Sequence, residues 1–348
     1  MYASGDRSSL AKFIIVMLMM TLGVVTLFSL TIGSSNTSLT DSLWALMQGE
    51  SIGLKEQVIL LDIRAPRTVM GLLVGASLAV SGAIMQGLFR NPLADPGLIG
   101  VSSGAGLGAV AAIVLGGLLP ASLLNSINGF LVPAAAFLGG WGCMLILYTI
   151  ATRQGRTSVA VMLLAGLALS AFAAALTGLL IYFSNDTQLR DLTFWNLGSL
   201  AGANWASLQI AGPLMLLTLL LAPLLASGLN RLALGEAAAM HLGVSVQILK
   251  RTSILLVGLS VGVAVAVSGA IGFVGIIVPH LLRLIIGPNH RYLLPAAALL
   301  GAIFLLLADI LSRILIAPAE LPIGIVMALL GGPFFLYLLL RNRNLLDL

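Results

Sequence analysis

Arg64 and Arg67 stand three residues apart just ahead of an apolar run, and Arg313 follows Asp309 by four residues near the end of another. A guanidinium offers a planar fork of donors that pairs with carboxylates two bonds at a time, so this group could receive an acidic partner. Two plainer roles compete. Arg64 and Arg67 could snorkel beside lipid headgroups, and Arg313 could be satisfied one helical turn away by Asp309. His241, His280 and His290 lie far apart without metal-ligand spacing, and no nucleophile, base and orienting group stand together as an enzyme needs. His280, beside Pro279, reads as a helix-start residue. No Gly-x-x-x-x-Gly-Lys-Ser/Thr occurs, and none of the three lysines sits in a phosphate-cradling loop. ATP hydrolysis would therefore belong to a separate subunit.

Composition sets the elements that must hold these residues. The 348 residues are 59% hydrophobic and only 8% charged, more apolar surface than a soluble globule can cover. The expected fold is an all-α polytopic membrane protein, one membrane domain over 1–348. Apolar blocks fall near 13–33, 68–89, 97–119, 129–151, 158–183, 205–228, 252–272, 276–287, 293–316 and 322–340, which makes ten spans. The first follows a polar Met1–Lys12 and exceeds a signal-peptide core of roughly 7 to 15 residues, so it reads as a retained span. The 276–287 block is too short to cross a bilayer of about 30 Å and must be buried among other helices. Cys143 is the only cysteine and lies in an apolar run, which excludes a disulfide framework.

With the N-terminus inside, twelve cations fall on the cytoplasmic side against five outside, so both termini are expected to be cytoplasmic. The net charge of +5 is spread over short loops and signals topology, not nucleic-acid binding. On this map Arg64, Arg67 and Arg313 face outward, and Ser34–Arg67 is the longest outside segment. His241 and His290 fall on inside loops. Between the second and third blocks, Asn91-Pro92-Leu93-Ala94-Asp95-Pro96 cannot continue a helix. Non-helical backbone at that depth must line protein or a water-filled cavity. The inside loop at about 230–246 holds a short helix-forming run bracketed by glycines, from Leu234-Gly235-Glu236-Ala237 to His241 and Gly243, which reads as a docking element or as an amphipathic connector. Thr157 and Ser158 precede the fifth block and could serve as an N-cap. Ala79-Val80-Ser81-Gly82-Ala83-Ile84 recurs as Ala266-Val267-Ser268-Gly269-Ala270-Ile271, five spans later. An odd offset reverses direction, so the echo suggests an inverted repeat of spans 2–5 and 7–10.

Five stretches carry a resemblance. They are Arg64-Ala65-Pro66-Arg67, the run from Gly82 to Gly97, Leu234-Gly235-Glu236, Gly272-Phe273-Val274-Gly275 leading into Val278-Pro279-His280, and Ala319-Glu320-Leu321-Pro322-Ile323-Gly324. In this order the chain resembles the permease subunits of iron-siderophore, haem and cobalamin importers of the ATP-binding-cassette class, the FecCD type. The resemblance implies a second copy of the chain, two cytoplasmic ATP-binding-cassette subunits that use the ATP, and a periplasmic substrate-binding protein in a bacterial inner membrane. It implies that Arg64, Arg67 and Arg313 receive glutamates of the binding protein. Asn91, Leu93, Thr157 and Ser158 would form a cytoplasmic gate, and Leu234, Gly235, Glu236, Ala237, His241 and Gly243 would couple to the ATPase.

The stretch Asn185 to Leu200 is amphipathic and should form a short outer helix whose aromatic residues suit a flat hydrophobic cargo. Its wording resembles haem permeases most, with no permanent cofactor and no assignable haem ligand. A ferric siderophore or cobalamin carried by the same machine is the alternative. An ion-coupled secondary transporter is a further one, weakened because Asp309 is the sole clear acid deep in a span.

Overall fold

Lipid offers no partner for a backbone amide, so a chain this apolar closes its hydrogen bonds within each segment and folds into helices. The structure is a computed structural model and describes residues 7–33, 53–120, 122, 127, 129–153 and 156–341. In chain order the helices are α1 (Ser8–Thr31), α2 (Leu54–Leu88), α3 (Val101–Leu118), α4 (Leu131–Ala151) and α5 (Val159–Tyr182). They continue with α6 (Asp186–Leu197), α7 (Trp205–Leu232), α8 (Glu236–His241), α9 (Val246–Ser268), α10 (Val274–Ile286), α11 (His290–Ile314) and α12 (Ile323–Arg341). A two-residue hairpin, β1 (Thr152–Arg153) with β2 (Arg156–Thr157), joins α4 to α5.

Among the described residues eight helices are long and apolar enough to cross a membrane, and α10 and the apolar part of α12 are shorter. Each overlaps one of the apolar blocks of the sequence, with different bounds. The largest departure is α2, which begins at Leu54 and not near 68. The charges from Lys55 to Arg67 read as a loop. In the structure Val58–Arg64 makes a π-helical turn that buries Leu60 and Arg64, and the helix carries its charges through. The rest of the outer segment, 34–52, lies outside the described residues. The seventh block also shifts: α9 runs from Val246 to Ser268, stopped by Gly269 at φ +68°.

The middle of the molecule is α2, whose apolar window is 83% buried, flanked by α9 and α11 at 67% each. Helix α1 is 11% buried and α5 17%, so their apolar faces point outward, where lipid would cover them. Small residues let the central helices touch backbone to backbone. Gly75 meets Gly301 between α2 and α11, and Gly82 meets the carbonyl of Gly275 at the start of α10, so a Cβ at Gly75, Gly82 or Gly301 would collide with its neighbour.

The echoed hexapeptides behave differently. Ala79 to Ile84 is unbroken helix in α2, where Gly82 serves close packing. Its counterpart ends α9 at Ser268, whose carbonyl accepts the Ser199 amide at 2.8 Å. The chain then runs non-helically to Phe273, a non-glycine residue at φ +69°, before α10 begins.

Candidate functional site

The end of α1, the start of α2 and the α11–α12 connection meet at one end of the bundle around a cluster of charges. Arg67 donates from Nε and Nη2 to Asp309 Oδ1 at 3.0 and 2.9 Å, and from Nη1 to both Glu320 oxygens at 3.1 and 2.9 Å. Arg313 pairs with Asp309 Oδ2 at 3.1 Å across one helical turn, as the spacing suggests. It also donates to the carbonyls of Ser29 and Ile32 at the end of α1. Arg64 donates to the carbonyls of Leu30 and Thr31, both at 2.8 Å. All three arginines are at most 6% exposed. The guanidiniums are not free-standing: helix α2 extends past them, and they hold the end of α1 and the α11–α12 connection in place. They still border a cavity of about 180 Å³ with Gly33, Ile59, Ile63 and Glu320, through which an incoming group could reach them.

Helix α2 stops at Leu88, and the turn after it is built by side chains. Arg90 adopts φ +52°, Asn91 Oδ1 accepts the Leu93 amide at 2.9 Å, and Asp95 Oδ1 accepts the Gly97 amide at 2.6 Å. These are the local bonds by which Asn and Asp replace helix continuation. Burial pushes the Asp95 carboxyl above its ordinary range, against the lowering effect of that Gly97 bond. Pro96 packs under Gly275, so this break meets the break between α9 and α10. Together they line a cavity of about 290 Å³ with Leu78, Ser102, Ser103 and Phe273. Broken helices facing each other around a polar cavity are a common architecture for transport sites.

Thr157 and Ser158 lie on the hairpin side. Ser158 caps α5, accepting the Val161 amide at 3.4 Å, which realises the capping role. Thr157 is buried and held on both sides of its backbone: its amide donates to Gln247 Oε1 at 2.8 Å, and its carbonyl accepts from Lys250 Nζ at 3.0 Å. Among the described residues no hydrogen bond joins Asn91 or Leu93 to Thr157 or Ser158. The two segments meet through α5, which packs on the 96–99 turn and whose Ser170 accepts from Ser103 at 3.0 Å.

The inside loop folds as expected into a short helix, α8, between Gly235 at φ +105° and Gly243 at φ +80°. Leu234, Ala237, Met240, His241, Leu242 and Gly243 are exposed, so α8 and its flanks present an apolar face at an aqueous end. Glu236 does a different job. Its Oε1 lies 2.7 Å from Lys250 Nζ, tying α8 to the first turns of α9. At the same end Asn230 in α7 donates to Asn289 Oδ1 at 2.8 Å and accepts from the amide of His290 at 2.8 Å.

Two histidine placements are corrected. His290 is the buried first residue of α11, held by Asn230, and not part of an open loop. His280 lies inside α10, in a helix that already begins at Val274; Pro279 is interior to it, and the Gly275 carbonyl that the missing N–H leaves free accepts from Gln86 Nε2 at 3.2 Å. Sequence reasoning missed Lys250, Gln247 and Glu320. The available signal was that Lys250 is one of three lysines in the chain and that Glu320 is the one charge in the motif from Ala319 to Gly324. Helix α6 forms where expected, with a capping box between Asn185 and Gln188, and Gln188 also donates to the carbonyls of Ile113 and Val114 in α3.

Comparison with known proteins gives concordant results. The FecCD transport family matches residues 21–341. The hemin transport system permease protein HmuU of Yersinia pestis is 45% identical over 341 residues, covering 97% of each chain. The vitamin B12 import system permease protein BtuC of Klebsiella pneumoniae is 45% identical over 297 residues, 85% of this chain and 86% of that one. A solved inward-facing structure of a metal-chelate type ABC transporter superposes with a TM-score of 0.82 at 35% identity, over 95% of this chain and 99% of that one.

Proposed function

The chain belongs to the FecCD transport family, and on that premise we propose that it is the permease subunit of an ATP-driven importer that moves haem from a periplasmic binding protein into the cytoplasm. Two copies of the chain form the inner-membrane pathway, and two cytoplasmic ATP-binding-cassette subunits bind and hydrolyse the ATP. The observation that carries the reading is the separation of the arginine cluster and the exposed apolar face of α8 by the full length of α2 and α11. The Arg64, Arg67 and Arg313 cluster lies at one end of these helices. At the other end His290, bonded to Asn230, lies beside the loop that presents α8. Arginines at the first end suit glutamates of a binding protein, and the apolar face of α8 suits a cleft in an ATPase. The gate would be built from Asn91 and Leu93 on one break and Thr157 and Ser158 on the hairpin.

Haem as cargo is supported by the 45% identity to the hemin permease. Equal identity to the cobalamin permease supports the second reading, the same machine with another chelate. An ion-coupled mechanism is disfavoured because Asp309 is already shared between Arg67 and Arg313. The test is uptake into proteoliposomes holding the chain and its ATPase, with haem, cobalamin or a ferric siderophore presented on its own binding protein. ATP-dependent uptake of haem alone establishes the proposal. Uptake of another chelate changes the cargo, and uptake driven by an ion gradient without ATP overturns the machine.

A further inference from the structure

We infer that Lys250 is the link by which movement of α8 reaches the α4–α5 connection. The inference rests on the reading of α8 as the ATPase-docking element. Helix α8 is six residues long and is flanked by glycines at φ +105° and +80°, a conformation that side-chain-bearing residues rarely adopt. Such a segment can pivot as a unit. Among the described residues its salt bridge to the bundle is Glu236 to Lys250, at 2.7 Å; Arg231 of α7 also donates to the Leu242 carbonyl at its C-cap, at 3.1 Å, and Ala239 is its buried anchor.

Lys250 passes that tie onward. An ammonium has three donors, and here one goes to Glu236 and another to the Thr157 carbonyl at 3.0 Å. The side chain is 4% exposed, so water does not screen either bond as it would at the surface. Gln247, one turn earlier on α9, takes the Thr157 amide at 2.8 Å. One peptide unit on each side of Thr157 is thereby fixed to α9, and the next residue, Ser158, caps α5. A pull on α8 is delivered to the start of α5 by a chain of two charge-assisted bonds, with no other polar contact of Lys250 among the described residues. Lys250 is a positioning residue: it acts through Glu236 and the Thr157 carbonyl.

The test uses the full permease–ATPase complex in proteoliposomes with the binding protein, and measures cargo uptake per ATP hydrolysed. K250M keeps the length of the side chain and removes both bonds. The complex is expected to co-purify and hydrolyse ATP, while uptake per ATP falls by about fivefold or more, the lower range of ordinary coupling energies. K250R, which can donate to both acceptors, should recover most of the ratio, a rescue that mere space-filling would not give. E236A, on the partly exposed partner, should also lower the ratio, leaving Lys250 the Thr157 carbonyl as its acceptor. Normal uptake per ATP in K250M or E236A overturns the link, as does loss of the ATPase from the K250M complex with no rescue by arginine. M240D probes the docking reading separately. If the ATPase still binds M240D, α8 is not the docking element and that reading fails, whatever K250M does.

Discussion

Arg67 and Asp309 are 242 residues apart in the chain and 2.9 Å apart in the fold, and Asp309 is completely buried. The pair joins α2 to α11, the two helices whose glycines already touch at Gly75 and Gly301. Close backbone packing fixes the helices laterally, and the ion pair fixes their register at one end. Arg313 closes the other side of Asp309, so one carboxylate balances two guanidiniums while Glu320 takes the remaining fork of Arg67.

Removing Asp309 should therefore damage the fold before it damages transport. Breaking a buried pair leaves its partner charged and unpaired, a cost of about 3–5 kcal/mol. Asp309→Ala is expected to lower the thermal unfolding midpoint in detergent sharply. Asp309→Asn should be milder, because its amide oxygen still accepts from Arg67. An Asp309→Ala protein of normal thermal stability whose uptake alone is lost would mean that the carboxylate moves protons or ions instead.

Glu320 makes the opposite kind of prediction. It is a partner of Arg67 that is substantially open, with 32% of its side chain exposed. If binding-protein glutamates dock on these arginines, they compete with Glu320 for Arg67 Nη1. Glu320→Gln should tighten binding-protein affinity for the nanodisc-embedded permease, and Arg67→Ala should weaken it, both read by surface plasmon resonance. Weaker binding in both variants would show that Glu320 supports the docking surface instead of occupying it.

Much of this was legible in the sequence. Ten apolar blocks, the break at Asn91–Pro96 and the glycine-bracketed helix follow from hydropathy and turn chemistry, which act locally; the break after Ser268 did not show, because its residues are as apolar as the span before it. Arg67 with Asp309 and Lys250 with Thr157 were not legible, because each pair is made by packing helices far apart in the chain. The same cause misplaced the start of α2. A run with charges at Lys55, Glu56, Asp62, Arg64 and Arg67 looks like a loop until the partners that neutralise or cap those groups are in view. His290 looked like a loop residue for the same reason, since Asn230 is 60 residues away.

The apolar face of α8 gives a direct assay of the coupling surface. Leu234 and Met240 are 69% and 58% exposed, large side chains with no role inside the bundle. Leu234→Asp or Met240→Asp should leave the thermal midpoint of the isolated permease within the small range typical of surface substitutions, about 0.5 kcal/mol. Either should cut co-purification of the ATPase. Retained ATPase with both variants would move the docking surface elsewhere.

Asp95 offers a pH-dependent signature of the break after α2. Its carboxyl is pushed above the ordinary value of 3.8, burial being the larger influence, so the folded state prefers the protonated form. At neutral pH the charge is held at a cost, and that cost is relieved as pH falls through the raised value. Asp95→Asn keeps an oxygen for the Gly97 amide and carries no charge. Its thermal midpoint should exceed that of the wild type at pH 7.5, and the difference should shrink as the pH is lowered toward the carboxyl's own titration. Asp95→Ala removes the acceptor as well and should lose roughly 0.5–1.5 kcal/mol from the broken hydrogen bond, offset in part by removal of the charge. A midpoint gap between wild type and Asp95→Asn that stays constant with pH would mean that the carboxylate is solvated, and that the cavity between the two breaks is open to water at this position.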